Sequence, residues 1–268
     1  MEFLHAVNWG YVASGFTVGT LVGLTGVGGG SLMTPILILL FGIQPVAAVG
    51  TDLLYAAATK AAGSSIHGFN HTIAWRVVGR LALGSVPAAI LTITALHFLG
   101  ISGGAANALV SKVLGAALLL TSAALFFRRR LLSVYAARVG SLDASHTRNY
   151  TILTGVVVGA LVSLTSVGAG ALGVTALILL YPELPIATLV GSDIAHAVPL
   201  TLVAGMGHWY LGNINPSLLG TLLMGSVPGI VLGSVLAPRV SDRLLRRILA
   251  SVLVVVAVKL LVGGECEC

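Results

Sequence analysis

The chain has 268 residues, of which 57% are hydrophobic and only 8% are charged, and its formal net charge is +6 at pH 7. Such a composition cannot cover a water-facing surface, so it excludes a soluble globular domain and indicates a polytopic membrane protein. The positive charge comes from arginines near segment ends, which membrane topology explains, so it does not indicate nucleic-acid binding.

Hydropathy divides the chain into ten apolar segments, with ends defined to within several residues. The second and seventh segments, 31–42 and 171–182, are about 12 residues long, or ~18 Å of helix, whereas a hydrocarbon core is ~30 Å thick. Each is therefore predicted to be a broken or re-entrant half-helix. Ten spans, or eight spans with two re-entrant hairpins, both fit the sequence. The other segments are 9–27, 45–67, 79–98, 109–127, 150–166, 185–209, 217–237 and 245–262.

An internal repeat relates the two halves of the chain. The glycine-rich stretch 19–30 returns at 159–170, and the tetrad Gly-Ser-Val-Pro at 84–87 returns at 225–228. In an apolar chain, a repeat of this length indicates two homologous membrane halves that face each other across a central site. The predicted units are a first membrane repeat (1–127), a basic cytoplasmic linker (128–149) and a second membrane repeat (150–268).

Arginine placement predicts the orientation of the segments. When the chain is threaded through them, all 11 arginines fall on one side, which the positive-inside rule makes cytoplasmic. Both termini are then periplasmic, and each half crosses the membrane an odd number of times. The second half is therefore inverted relative to the first, as in many secondary transporters. The arginines are Arg76, Arg80, Arg128, Arg129, Arg130, Arg138, Arg148, Arg239, Arg243, Arg246 and Arg247.

The glycine-rich motifs are candidate anion sites. A half-helix that begins at mid-membrane points its positive dipole end and unpaired N–H groups into the cavity. Hydroxyl groups beside the glycines could cap that helix or bind an oxyanion. Alternatively, the glycines only let backbones approach closely, as the four-residue spacing of Gly15, Gly19 and Gly23 indicates for that stripe. The candidate substrate-binding residues here are Thr25, Gly28, Gly29, Gly30 and Ser31, and in the second half Thr165, Gly168 and Gly170.

Three charged residues lie deep inside apolar segments, where charges are costly and usually functional. Asp52 and Asp193 occupy equivalent positions in the two repeats, and an intramembrane carboxylate can carry a coupling proton. Each follows a hydroxyl residue, Thr51 or Ser192, so the alternative is that each Asp is a helix N-cap. Lys60 would favour an anionic substrate, unless it pairs with another helix or snorkels to the cytoplasmic face. Thr51, Ser192 and Lys60 are also candidate substrate-binding residues.

Three histidines are candidates for gating or proton relay. His67 and His208 each follow the Asp of their repeat by 15 residues, near segment ends, and His196 lies one helical turn beyond Asp193. The alternative for a membrane histidine is that it only satisfies hydrogen bonds. The spacing of potential ligands predicts no metal site, and no cofactor is expected.

Three motifs of the first half carry a family resemblance. They are Leu-Thr-Gly-Val-Gly-Gly-Gly-Ser-Leu-Met-Thr-Pro at 24–35, Gly-Thr-Asp at 50–52 and Gly-Ser-Val-Pro at 84–87. These motifs, repeated in weakened form in the second half, resemble the TauE/SafE sulfite-exporter family over nearly the whole chain. The resemblance implies an inner-membrane permease for sulfite, sulfonates or related organosulfur anions. The second half departs from the pattern at Ala169 and Thr175, so the two halves need not contribute equally to the site.

The sequence thus predicts an all-α polytopic membrane protein that acts as a secondary transporter and not as an enzyme. We expect it to export small organosulfur anions across the inner membrane by alternating access around a midplane site, coupled to protons. Its expected partners are the anion, protons and the lipid bilayer, without nucleic acid. The oligomeric state is open, with a homodimer as one option. A passive anion channel is the main alternative, and an intramembrane enzyme is the less favoured one.

Overall fold

Ten α-helices make up the part of the chain that the computed structural model describes, namely residues 9–25, 30–100, 103–138, 143–236 and 242–263, and no strand occurs in these ranges. The all-α prediction is confirmed. The helices are α1 (Trp9–Thr25), α2 (Gly30–Leu39), α3 (Pro45–Phe69), α4 (Trp75–Phe98), α5 (Gly103–Arg138), α6 (Ala144–Thr165), α7 (Ala171–Leu180), α8 (Ile186–Tyr210), α9 (Pro216–Leu236) and α10 (Asp242–Gly263).

Within the described ranges, four helices are long and apolar enough to cross a bilayer: Trp75–Phe98, Gly103–Phe127, Ile186–Tyr210 and Pro216–Gly233. Large apolar side chains such as Leu91 and Val231 remain exposed on the outer surface of the bundle. A lipid environment accounts for that exposure, since water would not tolerate so many apolar groups on one surface. The protein is therefore a multi-pass membrane protein.

Helix α5 continues past the predicted end of its apolar segment and reaches Arg138. Much of the predicted linker is therefore helical, because Arg, Leu and Ala are all good helix formers. Helix α6 also begins before the predicted start at 150. Its N-cap is Asp143, whose side chain accepts a hydrogen bond from the Ser145 backbone N–H.

The two short segments form helices of ten residues each, α2 and α7, which corresponds to ~15 Å and confirms the prediction of short helices. The break before α7 is built from left-handed backbone, with φ of 59° at Ser166 and 117° at Gly168. Only a residue such as glycine adopts the second of these angles without strain. The equivalent break of the first half, residues 26–29, lies outside the described ranges.

Each repeat packs its first helix against the fourth helix of the other repeat: α1 lies on α9, and α6 lies on α4. Glycines on both sides of each contact allow the backbones to approach. A Cβ atom on Gly19 would lie 2.6 Å from the Ser226 carbonyl oxygen, and Gly159 meets the Ser85 carbonyl in the same way. The packing stripe predicted for Gly15 and its neighbours is confirmed for Gly15 and Gly19, because close helix contact requires small residues there.

The third helices of the two repeats, α3 and α8, pack against each other in opposite directions. Gly50 near the start of α3 lies against Asn213 just beyond the end of α8, and Gly191 near the start of α8 lies against Thr72 just beyond the end of α3. Equivalent helices that run antiparallel are what an inverted repeat requires. The orientation of each half in the bilayer stays a prediction.

Candidate functional site

Asp52, Lys60 and Asp193 form what we call the charged cluster. Asp52 and Lys60 project from α3 and Asp193 from α8. Their exposed fractions are 0%, 5% and 1%, so none of them reaches the surface. Lys60 lies within electrostatic range of both carboxylates. Ionisable groups buried together in the interior of a membrane protein are a functional-site candidate.

Asp52 is held by a hydroxyl from the short helix of its own repeat. Thr34 Oγ1 on α2 donates to Asp52 Oδ2 over 2.5 Å, and the Ser166 hydroxyl, from the break of the second repeat, also lies beside this carboxylate. Helix α3 runs without interruption from Pro45 to Phe69. The alternative interpretation of Asp52 as an N-cap is therefore wrong, because a cap must stand at a helix start.

Asp193 faces the short helix of the second repeat, but at a glycine. A Cβ atom on Gly173 of α7 would collide with the Asp193 carboxylate, so the carboxylate lies directly on the α7 backbone. Neither carboxylate oxygen has a hydrogen-bond partner in the described part of the chain. Helix α8 is continuous from Ile186 to Tyr210, so the N-cap interpretation of Asp193 is wrong as well.

Lys60 reaches from the first repeat into the glycine-rich break of the second. Its Nζ donates to the Ala169 carbonyl oxygen over 3.2 Å. The ammonium group therefore stays in the interior and does not snorkel to the cytoplasmic face. The described residues contain no ion-pair contact between this ammonium and either Asp of the cluster. A cation with one carbonyl partner retains donor capacity for an anion.

The antiparallel arrangement of α3 and α8 distributes the cluster along the bundle. Asp52 is the eighth residue of α3, and Asp193 is the eighth residue of α8. The start of α3 lies beside the end of α8, and the start of α8 lies beside the end of α3. The two carboxylates therefore lie toward opposite ends of the helix pair. Lys60 is two turns further along α3, near the middle, and acts on both.

His196 is buried and joins α8 to α4 of the other repeat. Its Nε2 and the Ser85 hydroxyl are 2.7 Å apart, and its Nδ1 has no hydrogen-bond partner among the residues described. The repeat places Tyr55 where the second half has His196, and Ser226 where the first half has Ser85. The Tyr55 hydroxyl indeed faces Ser226. The two contacts are therefore equivalent in position but different in chemistry.

His67 and His208 lie at the ends of α3 and α8. His67 Nδ1 and the Thr72 hydroxyl are 2.8 Å apart, and His208 Nε2 is 2.9 Å from the Ser163 carbonyl oxygen. The two histidines thus lie at opposite ends of the α3/α8 pair, each packed on the glycine two residues before the Asp of the opposite repeat.

The remaining predicted site residues stabilise the fold where their contacts are described. Thr51 Oγ1 accepts from the Asn215 backbone N–H, and Ser192 Oγ accepts from Ala74 N–H, so each hydroxyl supports the start of the opposite repeat's fourth helix. Thr165 Oγ1 donates to the Leu161 carbonyl and accepts from Val167 N–H.

The glycine-rich motifs are described only in part. In the second half, the Gly168 carbonyl accepts from the N–H groups of Gly170 and Gly173, which closes the turn into α7. In the first half, Gly28 and Gly29 lie outside the described ranges. Thr25 ends α1, and Gly30 and Ser31 begin α2.

A cavity of about 250 Å³ lies at the end of the bundle where α3 begins and α8 ends. Gln44, His97, Asn107 and Asn213 contribute its polar lining, and its other lining residues are apolar or glycine. Among the described residues, its lining includes no acidic side chain and no Lys or Arg, so it differs in character from the charged cluster. It lies on the side of the molecule toward which Asp52 is displaced.

Three contacts of the charged cluster, and the partner of His196, were missed by sequence reasoning. Thr34, Ser85, Ser166 and Gly173 were not proposed as site residues, although each lies on a repeated or family-like motif. The internal repeat could have indicated two of them, because Ser85 has a serine counterpart at position 226 and Ser166 directly follows the candidate Thr165. Their partners are distant in sequence, so periodicity within one segment could not identify them.

Comparison with known proteins agrees with this architecture. The model of the family described as "Sulfite exporter TauE/SafE" matches residues 11–260. The chain belongs to the TauE/SafE sulfite exporter family. It is 41% identical over 221 residues to the "Probable membrane transporter protein YjnA" of Bacillus subtilis (strain 168), a match that covers 82% of this chain and 86% of that protein.

A second relative is similar over a shorter stretch. The "Probable membrane transporter protein YunE" of Bacillus subtilis (strain 168) is 40% identical over 78 residues, covering 29% of this chain and 27% of that protein. No solved structure matches this chain significantly. The predicted TauE/SafE resemblance is confirmed, and the protein is a membrane transporter of the TauE/SafE type.

Proposed function

We propose that this TauE/SafE transporter is a proton-coupled secondary transporter that exports sulfite, sulfonates or related small organosulfur anions. It acts in the cytoplasmic membrane, with both termini on the extracytoplasmic side. The observation that carries the proposal is the contact of Lys60, from the first repeat, with Ala169 in the glycine-rich break of the second. A buried cation between the two halves supplies the attraction that an anion needs at that depth.

The distribution of the cluster supports alternating access. One carboxylate is displaced toward each face, and the single lysine between them belongs to the junction of the two halves. In an inverted repeat, the halves exchange conformations and open the same site to each face in turn. An anion bound near Lys60 would then meet a different carboxylate on each side of the membrane.

The glycine-rich breaks supply the second element of the proposed anion site. Helix α7 starts directly after Gly170, so the N–H groups of Ala171 and Leu172, which are not among those bonded to the Gly168 carbonyl, follow the Ala169 carbonyl that Lys60 contacts. Unpaired N–H groups at a helix start attract anions. By analogy between the halves, Gly28 to Ser31 would offer backbone N–H groups to the anion from the first repeat.

Lys60 is the first residue to test. We predict that Lys60→Ala abolishes saturable binding of sulfite and methanesulfonate to the purified protein, because removal of the buried cation leaves the anion with carboxylates alone. Isothermal titration in detergent measures this directly. Lys112→Ala, which changes an exposed lysine on α5, is the matched control and should bind as the wild type does. Wild-type affinity in folded Lys60→Ala would contradict the proposed role of Lys60.

Flux in sealed proteoliposomes separates a carrier from a channel. A carrier should show counterflow, in which unlabelled sulfite on one side accelerates uptake of labelled sulfite from the other, and its rate should saturate. A passive channel shows neither behaviour. An imposed pH gradient should accelerate net flux if protons are coupled to the anion.

A further inference from the structure

The two carboxylates that the repeat makes equivalent have different surroundings. Asp52 accepts a hydrogen bond from Thr34, whereas both oxygens of Asp193 lack a partner within the described residues. Gly173, the residue of α7 against which Asp193 lies, has no side chain that could provide one. A buried carboxylate without hydrogen bonds is costly to keep charged. Asp193 is thus the member of the pair suited to take up and release a proton.

The charged and titratable groups around Asp193 are few. Four helices pack against α8, namely α3, α4, α6 and α7. From α3, Lys60 is the charged group that acts on Asp193, and His67 packs on Gly191, two residues before it. Helix α7 contains no titratable residue, and those of α6 (His146, Arg148 and Tyr150) lie exposed in its first two turns. On α4, Arg76 is exposed, Arg80 donates to the Tyr181 hydroxyl, and Ser85 faces His196, the neighbouring histidine on α8 itself.

Lys60 and Asp193 act on each other electrostatically, yet the structure shows no direct ion-pair contact between them. Without substrate, the negative carboxylate balances the positive ammonium. With an anion bound to the ammonium, a negative carboxylate would repel it, and a protonated carboxyl would instead offer it an O–H donor. Opposite charges that bind at neighbouring positions favour each other, so anion and proton should bind cooperatively.

We propose that Asp193 and Lys60 form one site that takes up a proton and a small monovalent anion together, so that substrate and proton cross the membrane in the same direction. This inference rests on the proposed function above. The proton binds to a carboxylate oxygen of Asp193, and the anion binds to the Lys60 ammonium. The summed charge of Lys60, Asp193 and their ligands is zero in both states, which avoids moving net charge through the hydrocarbon region.

Co-transport also fits the direction of the proposed export. In the predicted topology the start of α8 is on the cytoplasmic side, since it packs against the loop before Arg76. Asp193 is then the carboxylate nearer the cytoplasm, where an exported anion is loaded. The concentration gradient of an anion produced inside the cell would drive the neutral pair outward.

The test is the pH dependence of anion affinity, measured with methanesulfonate, whose charge stays constant between about pH 5.5 and 8.5. We expect the wild-type Kd to rise with pH, approaching about tenfold per pH unit for one linked proton. Asp193→Asn should bind methanesulfonate with a pH-independent Kd, because the amide is neutral and can donate as the protonated acid does. Asp193→Ser provides a second neutral variant if the first does not fold.

Two controls and the contrary outcomes define the test. Asp52→Asn should retain the pH dependence, and Glu183→Gln, a change at an exposed loop residue, should leave both affinity and pH dependence unchanged. A wild-type Kd that is constant or falls with rising pH overturns co-binding, as does a pH dependence that survives in Asp193→Asn. If the wild type binds neither sulfite nor methanesulfonate at any pH, the proposed function falls and this site with it.

Discussion

Buried polar contacts join the two repeats, and among the described residues the pair formed by Ser85 and His196, 2.7 Å apart, is the shortest of those between side chains. Its counterpart, Tyr55 facing Ser226, uses a phenol in place of an imidazole. Imidazole changes charge more readily than phenol near neutral pH. The repeat has therefore kept the positions of this contact while its chemistry diverged between the halves.

We predict that Ser85→Ala destabilises the protein by about 1–2 kcal/mol, because the buried His196 loses its hydrogen-bond partner. His196→Leu should have a cost of similar size. The double variant should lose less than the sum of the two single variants, since neither polar group is then left unpaired. Thermal unfolding in detergent measures all three. Additive losses would mean that the contact contributes nothing to stability.

Glycines determine how closely whole helices approach each other. On α9, Gly225 lies against the backbone of α1 at Val12, whereas a Cβ atom on Gly220 would meet nothing within 4 Å. On α4, Gly84 lies against the backbone of α6 at Ile152, whereas a Cβ atom on Gly79, like one on Gly220, would meet nothing within 4 Å. Helix α9 thus carries three glycines that the packing requires, Gly225, Gly229 and Gly233, and one that it does not, whereas α4 carries one of each kind.

This pattern gives a matched pair of variants on one helix. Gly225→Ala should separate α9 from α1 and destabilise the protein by about 1–3 kcal/mol, as overpacking of a close contact does. Gly220→Ala should be neutral or stabilising by about 0.5–1 kcal/mol, because alanine is the better helix former. Thermal unfolding of the two purified variants is the measurement. Equal melting temperatures would show that the α1/α9 contact tolerates a methyl group.

For the whole molecule, the central expectation is the inverted orientation of the halves. The loops after α3 and α8 lie at opposite ends of the α3/α8 pair, as the contacts of Gly50 and Gly191 show. The positive-inside rule assigns the loop before Arg76 to the cytoplasm and the loop at Asn213 to the outside.

Cysteine accessibility tests this orientation. In a background with Cys266→Ser and Cys268→Ser, Asn213→Cys should react with a membrane-impermeant maleimide on intact cells, and Asn70→Cys only after the membrane is ruptured. Labels at Ser102 and Ser141, which lie outside the described residues, should follow the same rule, with Ser102 outside and Ser141 inside. Reaction of Asn70→Cys and Asn213→Cys from the same side would refute the inverted repeat.

Sequence reasoning found the helices because their cause is local. Apolar runs between turn residues predicted all ten, and segment length alone identified α2 and α7 as short. It failed where local rules were weak. The alternative that Asp52 and Asp193 cap helix starts was wrong, because membrane helices continue through glycines such as Gly50 and Gly191 when a neighbouring helix packs on them.

The site was predictable in its charged residues but not in their contacts. Burial of a charge in an apolar segment is visible in the sequence, so Asp52, Lys60 and Asp193 were found. The contacts of Asp52 with the Thr34 hydroxyl and of Asp193 with the Gly173 backbone were not predicted. These partners come from other helices, and only the packing of the helices determines which residues lie at the same level. The difference between the two carboxylates is therefore a property of the fold.

The exchange of first and fourth helices between the repeats has a consequence for biosynthesis. Helix α1 leaves the ribosome well before α9, on which its glycine face packs, because seven of the described helices lie between them in the chain. Until α9 is inserted, the glycine face of α1 lacks its packing partner. Insertion of this protein should accordingly be completed late, when α9 arrives, and a chain truncated before Pro216 should be recognised and degraded by membrane proteases.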